Sequence, residues 1–131
     1  MPSALIEVRR PYTEREGQAL INAIHDSLIA AFRIPPEDRT VRLVVHEPHR
    51  FACSPRLRQP ELFTLVSIDC FAGRSLEAKR NLYTEIVDRV NILGIPRDHV
   101  TITLREIEAE NWGIRGGRAA VDVDLGFDVN V

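Results

Sequence analysis

One stretch of this chain is written twice. Ile34-Pro35-Pro36-Glu37-Asp38-Arg39-Thr40-Val41 is matched 61 residues later by Ile95-Pro96-Arg97-Asp98-His99-Val100-Thr101-Ile102. Each copy stops a helical pattern with Ile-Pro, passes acidic residues and enters a strand-like run. The same offset sets Pro2 to Val8 against Phe63 to Cys70, within one residue. Agreement in both element order and offset marks a duplication. Each half then reads strand, helix, strand, and a long helix between two strands makes a parallel, right-handed crossover. The expected class is α/β (α+β): a tandem β-α-β repeat sharing one four-stranded sheet, with both helices on one face. The other face is left bare, which is a physical reason to expect self-association.

Local signals set the boundaries. Ala4 to Arg9 reads as a strand ended by Arg10-Pro11. Thr13 with Glu16 fits a reciprocal helix cap. A helix follows to about Phe32, with Leu20, Ile24 and Leu28 four apart on one face. Thr40 to Glu47 is a second strand, and His46 to Pro60, with three prolines, is loop. Leu62 to Phe71 is a third strand. Gly73-Arg74-Ser75 turns into a helix whose buried face is predicted as Leu82, Ile86, Val90 and Leu93, stopped by Gly94. His99 to Glu106 alternates as a fourth strand. The tail from Asn111 holds Gly113, Gly116 and Gly117, then a short alternating stretch from Ala119 to Val123.

At 131 residues a single domain is expected over 1–131, with halves at about 1–48 and 61–107 plus the tail. Seventeen Lys and Arg against 19 Asp and Glu give a formal net charge of −2, which argues against a nucleic-acid binder. The longest unbroken apolar run, Leu28 to Phe32, has five residues, whereas a membrane span needs about 20. With Cys53 and Cys70 the only cysteines, no CxxC motif exists, and a reduced cytoplasmic chain is the plain expectation.

Few residues carry chemistry. Pro2 follows Met1, and removal of Met1 would leave a secondary amine at the chain start. An α-amine titrates near 7.7–8.0, close enough to neutrality to serve as base or acid. Asp38 follows the first helix stop and reads either as a turn residue or as a carboxylate for activating water. Arg74 sits where a strand end meets a helix start. There a guanidinium can grip a carboxylate with two hydrogen bonds, helped by the helix N-terminus. Trp112 is the only tryptophan, either a pocket wall or a packing plug. Gly113, Gly116 and Gly117 make no dinucleotide fingerprint. His25 lies mid-helix and reads as packing. His46 and His49 lack the partners of a metal site, and Arg50, Arg56 and Arg58 read as a solvated basic loop.

Together these residues resemble the tautomerase superfamily, in particular its malonate semialdehyde decarboxylase branch. The resemblance rests on Pro2, on Ile34-Pro35 with Asp38-Arg39, and on Phe71-Ala72-Gly73-Arg74-Ser75 with Glu77 and Lys79. Glu110-Asn111-Trp112-Gly113 through Gly117 completes it. It implies the 4-oxalocrotonate tautomerase-like fold, trimers formed around the sheets, no cofactor and no metal. It further implies that Pro2 is catalytic once Met1 is removed, and that Arg74 holds the substrate carboxylate. Asp38 works with Pro2 and water in the decarboxylases, and Trp112 stands at the pocket wall. Three departures separate this chain from the decarboxylases, one being that the loop from Arg50 to Pro60 does not match their glycine-rich version. Ala72 stands where many of them carry a first arginine, and Trp112-Gly113-Ile114-Arg115 replaces their Trp-Ser-Phe-Gly.

The expected activity is therefore cofactor-independent keto–enol tautomerisation of a 2-keto acid, with Pro2 as general base and Arg74, Trp112 and Arg115 around the substrate. One alternative is decarboxylation or hydration of a short 3-oxo or unsaturated acid, with Pro2 as acid and Asp38 activating water. Another is a non-catalytic binding or signalling protein on the same fold.

Overall fold

The computed structural model describes residues 1–131. Its elements in chain order are β1 (Ser3–Val8), α1 (Glu14–Phe32), β2 (Thr40–Val45), β3 (Thr64–Phe71), α2 (Leu76–Ile92), β4 (Val100–Ile107), β5 (Gly113–Ile114) and β6 (Arg118–Ala119). The sheet runs β2-β1-β3-β4, and β5 and β6 form a separate small hairpin. β1 pairs in parallel with β2 and β3 with β4, while β1 and β3 meet antiparallel at the centre. Each half is thus a βαβ unit, joined edge to edge with its copy as the repeat implies.

The register explains the layering. Ala4, Ile6 and Val8 alternate with Ser3, Leu5 and Glu7 along β1; Val66, Ile68 and Cys70 alternate with Leu65, Ser67 and Asp69 along β3. The first set in each strand is fully buried and packs with Leu20, Ile24 and Leu28 of α1 and with Leu82, Ile86 and Val90 of α2. Period-2 strands and period-4 helix faces therefore meet in one core, with both helices on the same side. The opposite face carries Leu5, Glu7, Arg42, Val44, Leu65 and Thr103, and no helix of the chain covers it.

The cap of α1 forms as read. The Thr13 hydroxyl accepts from the Glu16 N–H at 3.1 Å, and the Glu16 carboxylate accepts from the Thr13 N–H at 2.9 Å. Ser75 caps α2 by accepting from the Ala78 N–H. His25 is buried, and its Nε2 lies 2.8 Å from the Pro36 carbonyl, tying α1 to the turn before β2. The loop after β2 contains two short 3-10 turns, Pro48–Arg50 and Pro60–Leu62.

One expectation is corrected, and the alternating stretch in the tail is placed. Leu93 is 43% exposed rather than buried, because α2 ends at Ile92 and Leu93 leaves the helical path as its C-cap. Ile95, 1% exposed, fills the core position instead. The stretch Ala119–Val123 is not a strand. Only Ala119 pairs, with Gly113, and Ala120–Asp122 is a 3-10 turn. Alternation by itself cannot make a ladder when the neighbouring segment is too short to pair with it.

Candidate active site

The chain start lies at the end of the sheet where β2 begins and β3 and β4 finish. Ser3 pairs with Thr40 on one side and with Asp69 on the other. Continuing that register by one residue sets Pro2 between Arg39 and Cys70, and by two sets Met1 between Asp38 and Phe71. Pro2 is buried. As the chain stands, Met1 acylates Pro2 and the free amine belongs to Met1. That amine is lowered from about 8 to about 6. Burial is the main cause, because it disfavours the charged form. Asp38 pulls the value back up, Arg74 pushes it down, and Cys70 raises it slightly. Asp38 and Arg74 therefore bear on the chain start with opposite sign, though 36 residues separate them in sequence. Asp38 is held at this end by a turn in which its N–H donates to the Pro35 carbonyl at 3.0 Å.

Arg74 is 6% exposed. Its Nη1 donates to the Phe71 carbonyl at 3.2 Å. Its Nε and Nη2 are both buried and have no hydrogen-bond partner. The guanidinium lies 4.7 Å from the Phe32 ring centroid and 6.0 Å from that of Phe127, so aromatic rings contact it through cation–π attraction. Burial away from water pulls the Arg74 pKa down, opposed by Cys70, Asp128 and Glu106. A buried unpaired donor costs about 1–3 kcal/mol, and more when charged. Nε and Nη2 project their N–H groups along one edge of the guanidinium, the fork that a carboxylate accepts with both oxygens.

Trp112 packs against Phe71 with ring centroids 4.9 Å apart and planes tilted by 52°, and its Nε1 donates to the Ile107 carbonyl at 3.2 Å. It therefore closes the ends of β3 and β4, next to the residue whose carbonyl holds Arg74. Arg115 stands apart within the one chain. It lies in the β5–β6 turn with φ +47°, exposed, and its Nη1 donates to the Asp124 carbonyl at 2.9 Å.

Three residues at this end were not singled out from sequence. Cys70 is buried on the helix face beside Pro2's register position. Phe32, at the end of α1, and Phe127, in the tail, pack against Arg74. A buried cysteine and two phenylalanines look like ordinary core residues in sequence, and nothing in their spacing ties them to Arg74. Two surface grooves, of about 180 and 300 Å³, lie elsewhere on the helices. The first includes Tyr12, Leu20, Leu93 and Ile95, where β1 ends and β4 begins, and neither touches Pro2.

Comparisons with known proteins bear on the family and the fold. Residues 38–115 match the family model described as tautomerase enzyme. The probable tautomerase YusQ of Bacillus subtilis (strain 168) is 27% identical over 123 residues, covering 91% of this chain and 97% of that protein. A probable tautomerase of Ralstonia nicotianae is 34% identical over 53 residues, 40% of this chain and 76% of that protein. Among solved structures, a malonate semialdehyde decarboxylase superimposes with a TM-score of 0.82 at 22% identity, over 93% of this chain and 99% of that one. A native fused 4-OT gives 0.82 at 18% identity, over 92% and 98%. These two show the fold, and the family match and the sequence relatives indicate an enzyme of the tautomerase type. With the family match spanning more than half its length, the chain belongs to the tautomerase enzyme family.

Proposed function

We propose that this protein is a cofactor-independent tautomerase of 2-keto acids. The observation that carries the reading is the pair of buried, partnerless Arg74 donors beside a chain start whose amine is held down to about 6. Loss of Met1 transfers the free amine to Pro2, one residue deeper in the same surroundings, and burial favours its neutral form there too. The neutral nitrogen then takes a proton from the carbon next to the keto group. It returns that proton across the enol system, so no group is gained or lost. Arg74 receives the substrate carboxylate on Nε and Nη2 and disperses the negative charge that develops on the enolate. Trp112 and Phe71 keep water from that end of the sheet. Arg115 contributes to substrate binding from the hairpin of another copy, in a homotrimer like the trimers described for fused 4-OT.

Asp38 supports a second reading. Its carboxylate raises the amine's pKa, as a decarboxylase or hydratase requires if Pro2 is to stay charged while Asp38 activates water. The solved neighbour with 22% identity is described as having decarboxylase and hydratase activities. The first reading is favoured because burial outweighs Asp38 and the net shift is downward.

A pH–rate profile separates them. With Met1 shown absent by intact mass, activity on a panel of 2-keto acids, followed by enol absorbance, should rise with pH through a value below the ordinary α-amine range and then level off. Asp38→Asn should change that activity by no more than about tenfold, equivalent to about 1.4 kcal/mol. A rate that falls with rising pH and disappears in Asp38→Asn replaces the first reading by the second. Full activity in Pro2→Ala removes Pro2 from both mechanisms and places the reacting base elsewhere, whereas a Met1 that is never removed, together with no activity, leaves a non-catalytic carboxylate binder.

A further inference from the structure

The two free donors of Arg74 present a contradiction. They form a ready fork for a carboxylate, yet both atoms are closed to solvent. Nothing can reach them unless a wall moves. One wall, Phe32, is fixed: it is fully buried in the last turn of α1 and belongs to the core. A second wall is Phe127, carried on the tail. From Phe127 to Val131 the tail crosses the Ala72–Ser75 turn without joining any strand. The Val131 carbonyl accepts from the Ser75 N–H at 2.8 Å. Asn130 and Val129 lie over Gly73 so closely that a Cβ there would come within 2.8 Å of the Asn130 amide oxygen. Only Phe127 and Val131 of this segment pack against the core, while Asp128 and Asn130 face solvent. Gly126 precedes it with φ +78°, a conformation glycine enters and leaves without penalty. A segment outside the sheet with so few partners belongs to the less stable part of a fold and opens before the core does.

We propose that Phe127–Val131 is a gate hinged at Gly126 that covers the Arg74 fork and must swing aside for a carboxylate to bind. Phe127 is the gating side chain, because its ring lies against the guanidinium, with the centroid 6.0 Å away. The gate also sets which acids pass. A small 2-keto acid needs a brief opening, while a bulky one needs the gate held away. This inference rests on the carboxylate reading of Arg74 for its ligand, but not for its geometry.

Labelling of Arg74 by phenylglyoxal tests it, read by peptide mass spectrometry on the full chain with exposed Arg56 as the internal reference. Covered donors should react at least about tenfold more slowly at Arg74 than at Arg56, because reaction waits on local opening. A chain ending at Gly126 should bring the two rates within about threefold, and Phe127→Ala should fall between while Phe127→Leu stays close to wild type. In Phe127→Ala, the kcat/KM ratio of phenylpyruvate to pyruvate should rise. Circular dichroism of each variant checks that the fold is kept. Wild-type Arg74 labelling as fast as Arg56, or slow labelling that neither variant relieves, overturns the gate. The carboxylate reading is tested separately by adding pyruvate. If the variants unmask Arg74 but pyruvate protects it in none of them, the gate stands and the carboxylate reading falls. If pyruvate protects Arg74 while the variants leave its rate unchanged, the carboxylate reading stands and the gate falls.

Discussion

Two arginines show how differently one residue type is used in this chain. Arg9 at the end of β1 donates to three loop carbonyls, those of Phe51, Pro60 and Pro48, at 2.6, 2.7 and 3.2 Å. It is consumed in pinning the loop after β2. Arg74 is more buried but keeps two donors unspent. An arginine with a carbonyl bonded to each of its three nitrogens is a structural part; one held dry with a free fork is poised for a ligand. Arg74→Ala should therefore lower kcat/KM on a 2-keto acid by about 10- to 150-fold, the effect of losing charge-assisted hydrogen bonds of about 1.5–3 kcal/mol. Arg115→Ala should cost less, since its guanidinium is exposed and already bonded to Asp124. Steady-state kinetics of both variants check this, and equal small losses would move the carboxylate site away from Arg74.

At the scale of elements, capping decides where each helix presents its ends. α1 starts at Thr13–Glu16 with both halves of the reciprocal cap in place. Thr13→Ala should destabilise the protein by about 1 kcal/mol, measured by urea unfolding at fixed protein concentration, with activity unchanged because this cap lies at the end of β1 away from Pro2. Ser75 at the start of α2 has a second task. Its side chain caps the helix while its backbone N–H holds the Val131 carbonyl. The two helix starts are equivalent in the repeat, but only one of them borders the candidate site.

For the whole molecule, the helix-free face of the sheet is the main unsolved surface. Leu5, Val44 and Leu65 stand there among Glu7, Arg42 and Ser67, with Val44 40% exposed. A mixed apolar and charged face of this kind is suited to pairing with copies of itself. Sedimentation equilibrium at micromolar concentration should give three times the mass of one 14.9 kDa chain. Val44→Lys should shift the protein toward monomer, and wild-type material that sediments as one chain would end the trimer proposal.

How much of this was legible in sequence follows from the range of the forces involved. The duplicated βαβ order, the Thr13 cap, the core stripes of Leu20, Ile24 and Leu28 and the stop near Gly94 are local patterns. Each is set by residues a few positions apart, so a linear reading finds them. Pro2, Asp38 and Arg74 were singled out by residue type and by family resemblance, and the structure brings all three to one end of the sheet. That meeting comes from strand register: the antiparallel pairing of β1 with β3 carries the turn after β3 to the chain start. Where Leu93 leaves the helix, why the Ala119–Val123 alternation makes no strand, and which aromatic rings enclose Arg74 were decided only in three dimensions. Phe32 and Phe127 lie 95 positions apart in the chain, and no periodic pattern spans that distance. The same holds for the orphaned fork of Arg74. A residue's donors are free or spent according to what the folded chain packs around them, and that is a property of tertiary structure alone.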